Sequence, residues 1–128
     1  KRGGLLGVSG VSNDLRKVEA AAAQGNRRAA LAIDMFVNQI VKYAGTFTAD
    51  LGGLDNLVFT GGIGENSVAV RQRVSAALAY LGLELDEAAN AAPGSDVRVI
   101  STAQSRVRVL VIPANEELGI ARRTFALM

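Results

Sequence analysis

The residues best suited to chemistry form one short stretch, Gly61-Gly62-Ile63-Gly64-Glu65-Asn66. The apolar run Leu57-Val58-Phe59-Thr60 leads straight into it, and an amphipathic helical pattern follows. A strand, a glycine turn and a helix in that order make a junction where main chain can meet a nucleotide or a phosphate. Three glycines in four positions remove the Cβ atoms that keep a ligand from the backbone, and they tolerate positive φ. The unpaired N–H groups of a following helix present positive potential to an anion. The same residues also suit a tight turn with nothing bound. They are not a P-loop, which needs Gly-Lys-Ser/Thr, nor a Gly-x-Gly-x-x-Gly fingerprint.

The elements that must position this turn follow from periodicity and caps. Residues 3–10 are glycine-rich with Leu5, Leu6 and Val8 between, which predicts a packed loop. Ser12 or Asn13 can cap a helix that places Asp14 in its first turn, runs through the alanines at 20–23 and ends at Gly25. Asn26 can cap the next helix, from Arg27 to about Asp50. There Ile33, Phe36, Ile40, Ala44, Phe47 and Leu51 recur at three- and four-residue steps. Gly52-Gly53 stops it, and residues 56–60 read as a short buried strand. A third helix begins near Asn66 and sets Val70, Val74, Ala77, Leu78 and Leu81 on one face before Gly82. Residues 86–92 suit a helical turn, and Pro93-Gly94-Ser95-Asp96 a turn. Residues 97–100 and 107–112 read as strands close enough to pair antiparallel. Pro113 ends the second of these, Asn115 can cap, and a last helix runs from Glu116 to about Phe125. The order predicts an α/β fold with a mixed sheet that is thin for its helices.

Composition narrows the function. In 128 residues, 49% are apolar, enough for the core of one domain, and the formal charge of +2 with few aromatics offers no basic, ring-studded stripe for nucleic acid. Cysteine and histidine are both absent, which removes disulfides, thiolate nucleophiles, His-dependent triads and His metal sites from the chain itself. No apolar run is long enough to span a membrane. The opening Lys1-Arg2-Gly3-Gly4 reads as a loop interior and not as a leader. A cytoplasmic protein is expected, of which this chain is a part.

Several separated motifs together resemble the C-terminal part of the acetate kinase family. They are residues 61–66, Val70-Arg71, Leu81-Gly82 and Val111-Ile112-Pro113-Ala114-Asn115-Glu116-Glu117-Leu118, with Ser12-Asn13-Asp14-Leu15-Arg16 and Lys42-Tyr43-Ala44-Gly45 in the same order. The resemblance covers essentially the whole chain. It implies the acetate and sugar kinase, heat-shock cognate and actin superfamily, in which two ribonuclease-H-like domains close on a nucleotide. These enzymes transfer the γ-phosphoryl of ATP reversibly to acetate with magnesium, giving acetyl phosphate. Residues 1–128 would then be a partial C-terminal nucleotide-binding domain of the actin-like ATPase type, its first three strands lying before Lys1.

The resemblance also assigns roles. Gly62, Ile63, Gly64, Glu65 and Asn66 match the ATP-binding loop, with Ile63 offering an apolar face to adenine. Asp14, Leu15 and Arg16 match a second nucleotide-contacting segment, although a helix-start carboxylate and a solvated charge are the plainer reading of Asp14 and Arg16. Glu116 matches a magnesium-associated glutamate, and it also suits a helix N-terminus. Ala114 stands where the family often has threonine. The acetate pocket and the catalytic groups of the family map upstream, so no catalytic residue falls in this chain. The partners implied are ATP or ADP and a second copy of the chain, with neither nucleic acid nor membrane. A propionate or butyrate kinase, or a non-catalytic self-association module, fits the same residues.

Overall fold

The computed structural model describes residues 3–127, and the side chain of Glu116 also lies outside the described part. Helix α1 (Gly4–Ser9) leads to α2 (Leu15–Ala23) and the long α3 (Arg27–Leu51). Strand β1 (Asn56–Phe59) follows, then α4 (Gly61–Asn66), α5 (Val68–Ala77) and a 3₁₀ turn at Ala79–Leu81. The chain closes with α6 (Glu87–Ala91), β2 (Arg98–Val99), β3 (Arg108–Val111) and α7 (Glu116–Phe125).

Short polar side chains set most of the helix starts. Asn26 Oδ1 accepts from the N–H groups of Arg28 and Ala29, both at 3.0 Å, and Gly52 closes α3 at φ 70°. Asp14, and not Ser12 or Asn13, caps α2, and Asp86 caps α6. The glycine turn winds into α4, and the third helix starts where expected, as α5 with Ser67 as its cap. The Ser67 hydroxyl accepts from Val70 N–H, and its extended backbone separates α4 from α5. The glycine turn is therefore itself one short helix, too short to carry much of a helix dipole.

Residues 3–10 form α1 instead of a packed loop. Arg28, from the first turn of α3, explains the difference: Nε donates to Val8 O at 2.9 Å and Nη2 to Gly7 O at 3.4 Å. Cationic donors thus reach the otherwise unpaired carbonyls at the end of α1, and Leu5 and Val8 pack against the core. Local composition opposes this helix, and the tertiary contacts prevail.

The sheet is mixed, in the order β1-β3-β2. β1 runs parallel to β3 with Asn56 opposite Arg108 and Phe59 opposite Val111, and β2 is antiparallel to β3 with Arg98 opposite Val111. The predicted antiparallel pairing is present, shortened at both strands. β1 is not the buried strand expected, because it lies at the sheet edge with Phe59 buried and Val58 45% exposed.

Leu15 and Val18 of α2, Ala29, Ala32, Ile33 and Val37 of α3, and Val70, Val74 and Leu78 pack with Val109, Val111 and Ile100 into one core. The predicted face of the third helix holds at Val70 and Val74 of α5 and at Leu78 just after it, whereas Ala77 is exposed. The α3 stripe holds from Ile33 to Ala44 and then fails, with Phe47 58% and Leu51 75% exposed. A helix of 25 residues is about 37 Å long, and its last turns extend beyond the core. Among the described residues, no helix is long and apolar enough to cross a membrane.

This packing makes an asymmetric expectation for α3 and α5. Leu78→Ala should cost about 2–5 kcal/mol by urea unfolding, while Leu51→Ala stays within about 0.5 kcal/mol. Equal midpoints for the two variants would contradict a core that holds Leu78 and leaves Leu51 out.

Candidate functional site

The start of α2 and the glycine helix α4 face each other across a cleft of about 540 Å³, a volume in the range of small-molecule sites. Asp14, Leu15 and Arg16 line one wall, and Gly62, Ile63 and Asn66 line the other. Two segments almost fifty residues apart in sequence are thus brought together. Gly64 and Glu65, grouped with them from sequence, are not among the lining residues.

Asp14 and Arg16 form a compact pair. The Arg16 backbone N–H donates to Asp14 Oδ1 at 3.0 Å, Arg16 Nε donates to the same oxygen at 3.1 Å, and Nη2 donates to Oδ2 at 2.8 Å. The hydrogen bond from the Arg16 side chain holds the Asp14 carboxyl below its ordinary 3.8. The pair is open to solvent, so it contributes little stability; its importance is orientation. The Arg16 side chain is 86% exposed, its edge fixed by the carboxylate and its planar faces available for stacking. Asp14 Oδ2 accepts only one of these bonds and keeps acceptor capacity.

The three glycines divide their work. Gly61 alone among them has a positive φ, at 72°. A Cβ on Gly62 would meet no protein atom within 4 Å, so at this cleft-lining position the missing side chain leaves room for something other than protein. A Cβ on Gly64 would stand 3.2 Å from the Phe59 carbonyl carbon, which makes Gly64 a packing glycine where α4 turns back on β1.

Two further lining residues escaped the sequence reading. Ser67 Oγ donates to Glu19 Oε1 at 2.9 Å, tying α5 to α2 along the cleft. The available signals were a serine following Asn66 at a helix start, and Glu19 one turn beyond Leu15. Asn66 Nδ2 donates back to Gly62 O at 2.7 Å, which stiffens α4.

Behind the cleft, Arg71 is only 1% exposed. Nη1 donates to Gly64 O at 3.0 Å and Glu65 O at 2.7 Å, Nε to Asn90 Oδ1 at 2.6 Å, and Nη2 to Asn90 O at 2.8 Å. Burial, helped by the charge of Arg98, pushes the guanidinium below its ordinary value. Among the described residues no carboxylate hydrogen-bonds it, and carbonyl oxygens hold the charge. Glu65 directs its carboxylate away, accepting from Ala114 N–H at 2.9 Å. Asn115 does not cap α7: it is left-handed, at φ 40°, and its side chain makes no capping bond. Glu116, expected to be the magnesium carboxylate, begins α7, but its side chain is outside the described part. Among the described residues no three acidic side chains gather into a metal cluster.

The sequence pattern defining the acetokinase family matches residues 1–122. The chain belongs to the acetokinase family. The acetate kinase of Treponema denticola is 50% identical over 128 residues, all of this chain and 32% of that protein. The crystal structure of Porphyromonas gingivalis acetate kinase is similar at TM-score 0.88 and 44% identity, covering 98% of this chain and 32% of that one. A propionate kinase structure from Francisella tularensis is similar at TM-score 0.83 and 40% identity, covering 94% and 30%. This acetokinase chain thus spans about a third of the length of these relatives. Its small mixed sheet with flanking helices matches part of an actin-like ATPase domain.

Two outcomes are expected of this acetokinase segment. Gly64→Val should lower stability by about 1–3 kcal/mol through overpacking against Phe59, and Gly62→Val by no more than about 0.5 kcal/mol, both read by urea unfolding. Separately, the Asp14 carboxyl should titrate below 3.8 by NMR. Because its folded value is depressed, its contribution is full above the unfolded value and is lost as pH falls through the folded one. A midpoint at or above 3.8 would mean that the pair does not persist in solution.

Proposed function

We propose that this chain is the nucleotide-holding portion of a kinase that moves the γ-phosphoryl of ATP reversibly to acetate, giving acetyl phosphate. The observation that carries the reading is the cleft that joins Asp14, Leu15 and Arg16 to Gly62, Ile63 and Asn66. In this reading the free face of Arg16 stacks on the base or ribose, and Asp14 Oδ2 accepts from a sugar hydroxyl. Ile63 gives adenine an apolar surface, and Gly62 lets the nucleotide approach the main chain. Phosphoryl transfer depends on positioning and on charge stabilisation around the moving group. This chain supplies positioning on the nucleotide side. Magnesium, when bound with Glu116 as its carboxylate, would neutralise phosphate charge.

The acceptor pocket and the charge-stabilising groups are assigned to the rest of the kinase, so the isolated chain is read as inactive. A cytoplasmic homodimer that binds ATP and ADP completes the proposal. The likeness to a propionate kinase structure favours one further reading, a longer short-chain carboxylate as acceptor.

Titration calorimetry of the isolated chain with ADP and magnesium should show weak saturable binding. Gly62→Val should weaken it at least about tenfold, or ~1.4 kcal/mol. A coupled assay with acetate, ATP and magnesium should stay at background. No binding by the folded wild-type chain would overturn the nucleotide reading, and turnover by the pure chain would overturn the division of labour.

A further inference from the structure

Beyond the nucleotide reading, residues 59–65 are held to residues 112–114 at two points. The first continues the sheet: Ile112 N–H donates to Phe59 O at 2.9 Å. The next residue, Pro113, has no N–H to give, so the ladder cannot proceed. The next donor along the chain, Ala114 N–H, is taken by a side chain, Glu65 Oε1, at 2.9 Å across 49 positions. Among the described residues, the entry into α7 has little else to hold it. Asn115 is the only described non-glycine residue with positive φ, and its side chain makes no capping bond to α7. The apolar residues Leu118, Ile120 and Phe125 of α7 are exposed, so core packing does little to fix the direction of this helix.

Glu65 is well placed to supply that support. Its backbone carbonyl is held from the interior by Arg71 Nη1 at 2.7 Å, and that guanidinium is itself locked to Asn90. With the backbone anchored, only the side-chain torsions of Glu65 remain to be ordered in making the outer bond, and a carboxylate just ahead of α7 complements the positive end of a ten-residue helix. We propose that Glu65 is a positioning residue: it does not touch the nucleotide, but latches the start of α7 to the cleft-lining helix α4. Its functional consequence rests on the reading of the cleft as a nucleotide site. In that reading the latch holds the main chain that carries Glu116 at a fixed distance from the nucleotide loop. Binding on α4 and any contact from the α7 start are then registered to one another through one carboxylate.

Amide hydrogen exchange by NMR, together with ADP titration, tests this on the chain itself. Glu65→Asp keeps the charge and withdraws the carboxylate by one methylene, and Glu65→Ala removes it. In both variants the amides of Ala114 and of residues 117–119 should exchange about tenfold faster, the loss of one charge-assisted hydrogen bond, while those of Val70 and Val74 in α5 are unchanged. ADP affinity should stay within about twofold of wild type, a change of ~0.4 kcal/mol. Unaltered protection at Ala114 in Glu65→Asp overturns the latch. So does a tenfold loss of ADP affinity with protection intact, which would make Glu65 a direct nucleotide contact. Should Glu65→Ala loosen the whole fold, seen as faster exchange at Val70 and Val74, Glu65→Asp decides alone. Failure of the wild-type chain to bind ADP would defeat the nucleotide reading and leave the exchange result, and with it the latch, standing.

Discussion

A guanidinium withdrawn from water and held by carbonyl oxygens is the constraint around which this half of the molecule is arranged. Arg71 lies on α5, yet its donors hold the end of α4 and the end of α6. A buried positive charge is costly unless its donors are satisfied. Here the satisfaction comes from main-chain carbonyls and one amide oxygen, which only this mutual placement of three helices can provide. Asn90 closes the arrangement by donating Nδ2 to Val68 O at 3.2 Å. The glycine helix is therefore fixed from behind by polar contacts, while apolar contacts fix α2 and α3. The cleft lies where these two kinds of support meet.

The sequence conveyed those features whose cause is local. The cap at Asn26, the length of α3, the stop at Gly52 and the antiparallel approach of β2 and β3 are each written in neighbouring residues. Legibility falls where the cause is distant. Nothing within residues 3–10 announces that Arg28 will complete a helix there. The winding of residues 61–66 into α4 is likewise unannounced, because three glycines in that stretch oppose a helix. The edge position of β1 follows from the resemblance, which assigns its neighbouring strand to the rest of the domain, and not from the strand's own residues.

The candidate site was legible in a different way. The nearness of Asp14, Leu15 and Arg16 to the glycine turn came from resemblance, since spacing alone gives no reason for α2 to face α4. Composition did mark the turn as unusual, but it treated three glycines alike. In the structure one supplies a left-handed φ, one leaves space, and one admits the backbone of β1. Glu65 and Asn66 stand side by side in sequence and serve different neighbours, because adjacent helical positions point about 100° apart.

The parallel pairing of β1 with β3 also bears on how the molecule assembles. β2 and β3 pair across a short connection, whereas β1 meets β3 only after a loop of some fifty residues, a closure costing about 1.5 kcal/mol more than one of ten. Such non-local pairing slows folding. α4 follows directly from β1, so the cleft inherits this delay. A refolding chain is expected to hold its α2–α3 hairpin and its β2–β3 pair well before the two walls of the cleft face one another.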